Sequence, residues 1–122
     1  MAIAKSWQRM EGGLVLLGAI SAYMNLDHGI AWWLALIIFF APDLSFLGYA
    51  FGPKVGALAY NFTHIYGFGA VVTAVAFAAG SVFWIGMGLL LIAHCGFDRV
   101  LGYGLKSPEG FQITHLGKIG KS

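Results

Sequence analysis

Between Gly12 and Leu101 the only formally charged side chains are Asp27, Asp43, Lys54, Asp98 and Arg99, and the rest is a succession of apolar runs separated by very short polar breaks. A chain of this length has too little interior to hide so much apolar surface from water. Soluble domains carry about 25% charged residues; here the fraction is 10%, against 59% hydrophobic, and the mean hydropathy is +0.79. Lipid is therefore the expected solvent for most of the chain. Its 18 glycines suit that setting, because small residues let membrane helices approach closely.

The breaks set the number of spans. "DHG" after Leu26, "FGPK" at 51–54 and "GS" at 80–81 are turn-forming stretches. They divide the chain into apolar segments near 10–26, 31–50, 55–79 and 82–101, each about long enough to cross a hydrocarbon core of roughly 30 Å. The reading is an all-α, four-helix transmembrane bundle forming a single domain over 1–122, with a polar tail from 102 to 122. Glu11 interrupts the N-terminal apolar run, and no small-residue cleavage site follows it, so this run reads as the first span and not as a removed export signal. The tail spaces Phe111, Ile113, Leu116 and Ile119 among polar residues. Such a segment lies along the membrane surface or folds over the mouth of the bundle.

Orientation follows from the basic residues. Lys5, Arg9, Lys54, Arg99, Lys106, Lys118 and Lys121 all fall on one side of a four-span topology, which the positive-inside rule assigns to the cytoplasm together with both termini. An inner (cytoplasmic) membrane is the expected location. A net charge of +2 carries no nucleic-acid signal, and the single cysteine, Cys95, excludes an intrachain disulfide or a zinc–thiolate cluster. Trp7, Trp32 and Trp33 read as interface anchors, Cys95 as a packing residue, "GYGLK" at 102–106 as a helix stop and His28 as a solvated turn residue.

The topology gathers the polar residues of the spans. Counted along the helices, Asp43, His64 and His94 lie about 8–15 Å below the cytoplasmic surface, with Asp98 and Glu11 nearer to it. His94 and Asp98 are an i, i+4 pair, as are Tyr60 and His64, with Asn61 on an adjacent track. Pro42 removes a helical hydrogen bond beside Asp43, so the second helix is expected to bend or open there. Asp43, His64, His94 and Asp98 make a mixed nitrogen–oxygen ligand set for a divalent metal such as zinc, iron or manganese. A metal so held acidifies water near neutral pH, with Glu11 or His115 to carry protons and Arg99 and Lys106 to neutralise phosphate or developing negative charge. Tyr60, Asn61 and Tyr103 would form the polar surround.

Two other readings stay open. In the first, the polar groups are packing glue, Asp43 or Asp98 pairs with Arg99, and the protein is a non-catalytic accessory subunit of a larger membrane complex or a homo-oligomer. In the second, His64 and His94 are axial ligands of a haem. Ionisable residues within a membrane are costly and tend to mark function, which favours the metal reading and metal-assisted hydrolysis or transfer on a lipid-like substrate.

The motifs "APDLSFLGY", "YNFTH" and "HCGFDRVLGYGLK" followed by "GFQITHLG" resemble a family of small bacterial four-helix membrane proteins known as a domain of unknown function. The resemblance runs from about Glu11 to Gly117. It implies that Asp43, Asn61, His64, His94, Asp98, Arg99, Tyr103, Lys106 and His115 belong to the family's polar set, and it supplies no reaction. A fainter similarity is to inner-membrane metal-dependent hydrolases.

Overall fold

The computed structural model describes residues 2–103, 106–107, 110–114 and 117–118, with side chains from 3 to 103. Five α-helices follow in order: α1 (Ala2–Met24), α2 (Trp32–Phe40), α3 (Pro53–His64), α4 (Tyr66–Ala79) and α5 (Val82–Val100). A 3₁₀ segment, Ala41–Phe51, continues α2. The fold is all-α apart from a short C-terminal antiparallel meander of β1 (Lys106–Ser107), β2 (Gly110–Thr114) and β3 (Gly117–Lys118).

Each expected apolar segment is helical, and two of them are broken. At Pro42, which has no N–H to give, the α-helix tightens into eleven residues of 3₁₀ helix. Runs of that length are uncommon, because eclipsed side chains and poorer hydrogen bonds disfavour them. The second break, at Ile65, is a correction to the continuous helix expected over 55–79. Ile65 is extended (φ −93°, ψ 146°), and α3 and α4 meet at a 47° bend. Here Thr63 and His64 both turn their side chains back onto backbone carbonyls of the last turn, and Gly67 and Gly69 follow within the first turn of α4, where glycine weakens a helix start.

Trp32–Phe51 and Val82–Val100 are each long and apolar enough to cross a membrane, and the bent pair α3–α4 passes together as a third. α1 begins earlier than expected, at Ala2, because Ala4, Lys5, Gln8, Arg9 and Glu11 favour helix. Those same charges leave only its second half strongly apolar.

α5 is the centre of the molecule, with α1 on one side and α4 on the other. The approach is close at glycines. A Cβ on Gly96 would stand 2.7 Å from the Gly12 carbonyl oxygen and 2.9 Å from the Leu16 nitrogen, and one on Gly69 would stand 3.1 Å from the Gly88 carbonyl oxygen. Tyr23, Ile30 and Leu90 form the apolar core between α1, α2 and α5.

α3 packs on a different partner, the 3₁₀ segment, and β1 and β2 lie against α3. The molecule is thus two packed groups, α1–α2–α4–α5 and 3₁₀–α3–meander, meeting at a seam crossed by few contacts. Two of the three chain connections across this seam are the breaks at Pro42 and Ile65, and the third leads from α5 to β1. Where it is described, the tail forms this meander: Phe111 and Ile113 alternate with Gln112 and Thr114 at the strand period, and Ser107, Gly110 and Gly117 bound the short strands.

Candidate metal centre

Four side chains converge at the seam, two from each packed group. Asp43 comes from the first turn of the 3₁₀ segment and His64 from the last turn of α3; His94 and Asp98 come from consecutive turns of α5. His64 Nε2 and His94 Nε2 are each 3.1 Å from Asp43 Oδ1 and each 3.3 Å from Asp98 Oδ2. The two nitrogens are 3.1 Å apart. Four ligands bound tetrahedrally at about 2.0–2.1 Å stand about 3.3–3.4 Å from one another. Five of the six ligand-to-ligand edges thus approach the size of a zinc-type tetrahedron. A buried Asp/His group able to hold a metal ion is therefore present.

Proton accounting points the same way. His64 Nδ1 is 2.8 Å from the Tyr60 carbonyl oxygen, which only accepts, so the imidazole proton sits on Nδ1 and Nε2 presents a lone pair. A neutral His94 brings one proton to Nε2 at most, and that proton serves one acceptor. The remaining contacts then set lone pairs against lone pairs in a buried space, which a cation relieves. Asp98 Oδ2 is buried facing the two imidazole nitrogens at 3.3 Å, and the buried His94 Nδ1 makes no hydrogen bond.

The walls are aromatic. Tyr60 stacks on His64 with centroids 3.7 Å apart and planes 7° from parallel, fixing the ring that the Nδ1 bond orients. Phe39 and Phe40 meet His94 edge-on. Three ligands are enclosed, the His64, His94 and Asp98 side chains being 0%, 1% and 10% exposed, whereas Asp43 is 51% exposed. The set therefore reaches the surface at Asp43, and Phe40 and Leu44, its near neighbours in the chain, are themselves exposed.

The other sequence-derived residues are distributed differently. Arg99 is 4% exposed; its Nη2 donates to the His64 carbonyl at 3.1 Å and its Nη1 to the Tyr103 carbonyl at 3.2 Å. Among the described residues neither Asp43 nor Asp98 pairs with it. Asn61 is half-buried on α3, and the Tyr103 side chain is exposed while its backbone N–H donates to the Asp98 carbonyl. Glu11 is exposed on α1. Only the backbone of Lys106, in β1, is described, and His115 lies outside the described residues. Cys95 is buried with Sγ toward the Thr63 carbonyl, as a packing residue would be.

The two Nε2 atoms, 3.1 Å apart with both carboxylates on the same point, are arranged as ligands of one small ion would be, which favours that reading over a haem. One expectation is corrected. His28 is an ordered turn residue, its Nδ1 accepting from the Ile30 N–H at 2.9 Å and its ring stacked on Tyr23. Thr63 was not singled out by sequence, yet its hydroxyl lies 3.1 Å from His64 Nδ1, 3.0 Å from Ser45 Oγ and 3.3 Å from the Pro42 carbonyl oxygen. Its position just before His64 in "YNFTH" was the available signal.

Neither a curated protein nor a solved structure matches the chain, so nothing supports the fainter similarity to membrane hydrolases. A family match spans residues 5–119, nearly the whole sequence and every residue of the cluster, and by it the chain belongs to the domain of unknown function family DUF4260.

Proposed function

We propose that the protein is a metal-dependent enzyme of the bacterial inner membrane that hydrolyses or transfers a group on a lipid-like, amphipathic substrate. The observation that carries this reading is the convergence of Asp43, His64, His94 and Asp98 on one point at tetrahedral spacing. Two of the chain's four histidines and two of its five acidic residues are committed to it. Imidazole and carboxylate at this spacing suit zinc first, then iron or manganese. A divalent cation there supplies Lewis-acid polarisation and acidifies water.

The chain's own residues supply the rest. His64, His94 and Asp98 are the fixed, enclosed ligands, and exposed Asp43 is the ligand that yields room to substrate. The four apolar segments are taken as four spans, α1 included, with both termini cytoplasmic by the distribution of lysine and arginine. The opening beside Asp43 then faces lipid, and a groove of about 500 Å³ lined by Ser45, Val55, Leu58, Ala59, Phe62 and Thr63 runs along the same α3–3₁₀ unit and suits an acyl chain. Glu11 or His115 carries protons. Lys106 meets the anionic head group, since Arg99 already has donors engaged on carbonyls.

A second reading keeps one observation in its favour: spacings of 3.1–3.3 Å are also hydrogen-bond and ion-pair distances. With a shared proton in place of a cation, the cluster is a structural lock, and the exposed Trp32–Phe51 face packs on a second copy or a larger complex. Reconstitution into vesicles of bacterial phospholipid, with zinc and the Asp98→Asn variant alongside, tests the enzyme reading by mass spectrometry of the lipids. Zinc-dependent loss of parent lipid, absent in the variant, is expected. Unchanged lipid across head-group and acyl classes, from protein shown to be zinc-loaded, would overturn it.

A further inference from the structure

Arg99 is a buried cation whose contacts are backbone carbonyls and an aromatic ring, with Cζ 5.7 Å from the Tyr66 ring centre. A guanidinium enclosed this way needs a reason, since burying charge is costly without compensation. The break between α3 and α4 provides it. α3 ends at His64, and a helix end leaves carbonyls without intrahelical partners at the negative end of its dipole. Within an apolar bundle such a group must be satisfied by the protein. Arg99 Nη2 meets the His64 carbonyl at 3.1 Å, and Tyr66, the first residue of α4, lies beneath the same guanidinium.

That contact crosses the seam. α3 and α5 touch little elsewhere, because α3 packs on the 3₁₀ segment and α5 on α1 and α4. Yet half of the ligand set rides on each side. The Arg99 side chain leaves α5 one residue after Asp98 and grips the backbone of the residue whose Nε2 must face Asp98 and His94. Its Nη1 also holds the Tyr103 carbonyl, while the Tyr103 N–H returns to the Asp98 carbonyl at 2.8 Å, so the end of α5 is tied into the same latch.

We propose that Arg99 is a positioning residue for the metal centre: its fork latches the end of α3 across the seam and holds His64 in register with His94 and Asp98. This rests on the metal reading of the cluster. The latch works before the cation arrives, lowering the cost of assembling ligands from two loosely joined groups.

The test is cobalt(II) titration of detergent-purified, metal-stripped protein, followed by ligand-field absorption, for the parent, Arg99→Met and Arg99→Lys. Loss of a residue that orients a ligand costs about 10–100-fold in metal affinity. Arg99→Met is expected to bind cobalt that much more weakly and, at saturation, to show the parent's spectrum, since all four ligands remain. Arg99→Lys is expected to fall between them, keeping the charge and losing the fork. A merely structural role would lower the melting temperature and leave the cobalt affinity of folded protein unchanged, and that result would overturn the proposal. If Arg99→Met does not fold, Arg99→Lys decides, and an affinity equal to the parent's would overturn it. A parent that binds no cobalt would remove the metal reading itself, and this inference with it.

Discussion

Gly96→Ala and Gly18→Ala are the same substitution on the two helices that pack face to face, and the structure assigns them opposite signs. A Cβ on Gly96 would sit 2.7 Å from the Gly12 carbonyl oxygen and 2.9 Å from the Leu16 nitrogen, both backbone atoms of α1. An ordinary contact needs about 3.4 Å, so α1 must move away from α5 by about 0.7 Å, and tight packing between small residues is a main source of helix association in lipid. Overpacking of this kind costs about 1–3 kcal/mol, which offsets or exceeds the gain in helix propensity of up to about 1 kcal/mol that alanine brings. Gly18, also on α1, has nothing within 4 Å of the position a Cβ would take, and there alanine gains helix propensity of up to about 1 kcal/mol. Unfolding in mixed detergent micelles, followed by circular dichroism against the fraction of denaturing detergent, reads both. The expected result is Gly96→Ala below the parent and Gly18→Ala at or above it, with metal content unchanged in the latter. Equal behaviour of the two variants would refute the close glycine-mediated packing of α1 on α5.

Further outcomes follow from the site. Asp98→Asn, which disables an enclosed ligand, should cut metal occupancy far more than Asp43→Asn, which leaves the three enclosed ligands in place; similar losses, read by elemental analysis after dialysis, would contradict the division into fixed and yielding ligands. Metal affinity should weaken as pH falls from about 7.5 to about 5, because imidazoles must shed their protons to bind metal; a cobalt affinity independent of pH over that range would mean that histidines are not ligands. Tyr60→Phe keeps the ring stacked on His64 and should retain metal, whereas Tyr60→Ala, removing the ring, should weaken binding severalfold in a competition titration.

Much of the cluster was legible because membrane topology turns sequence distance into depth. Asp43 and His64 flank the "FGPK" turn at similar distances, so antiparallel segments bring them level, and His94 and Asp98 are placed on one face by a spacing of four. What depth does not give is rotation about the helix axis or the integrity of the helix. Arg99 follows Asp98 by one residue and was expected to meet an anion. It turns inward to the carbonyl that the helix break at Ile65 frees, and at that break the Thr63 hydroxyl meets Ser45 and the Pro42 carbonyl from the neighbouring segment, a tertiary contact that an apolar run does not announce. The 3₁₀ segment was only half legible: Pro42 marked where the helix changes, but not that the change would persist to Phe51. The meander arises from a two-residue alternation too short to outweigh a polar, glycine-rich composition.

The central claim is that "HCGFDR" supplies half of a metal centre, and metal content tests it most directly. Untagged protein purified in mild detergent, with His94→Ala prepared in parallel, would be measured by elemental mass spectrometry. The account predicts close to one equivalent of zinc, iron or manganese per chain in the parent and little in the variant, with both still inserted in the membrane. No metal in the parent, or equal metal in both, would contradict it.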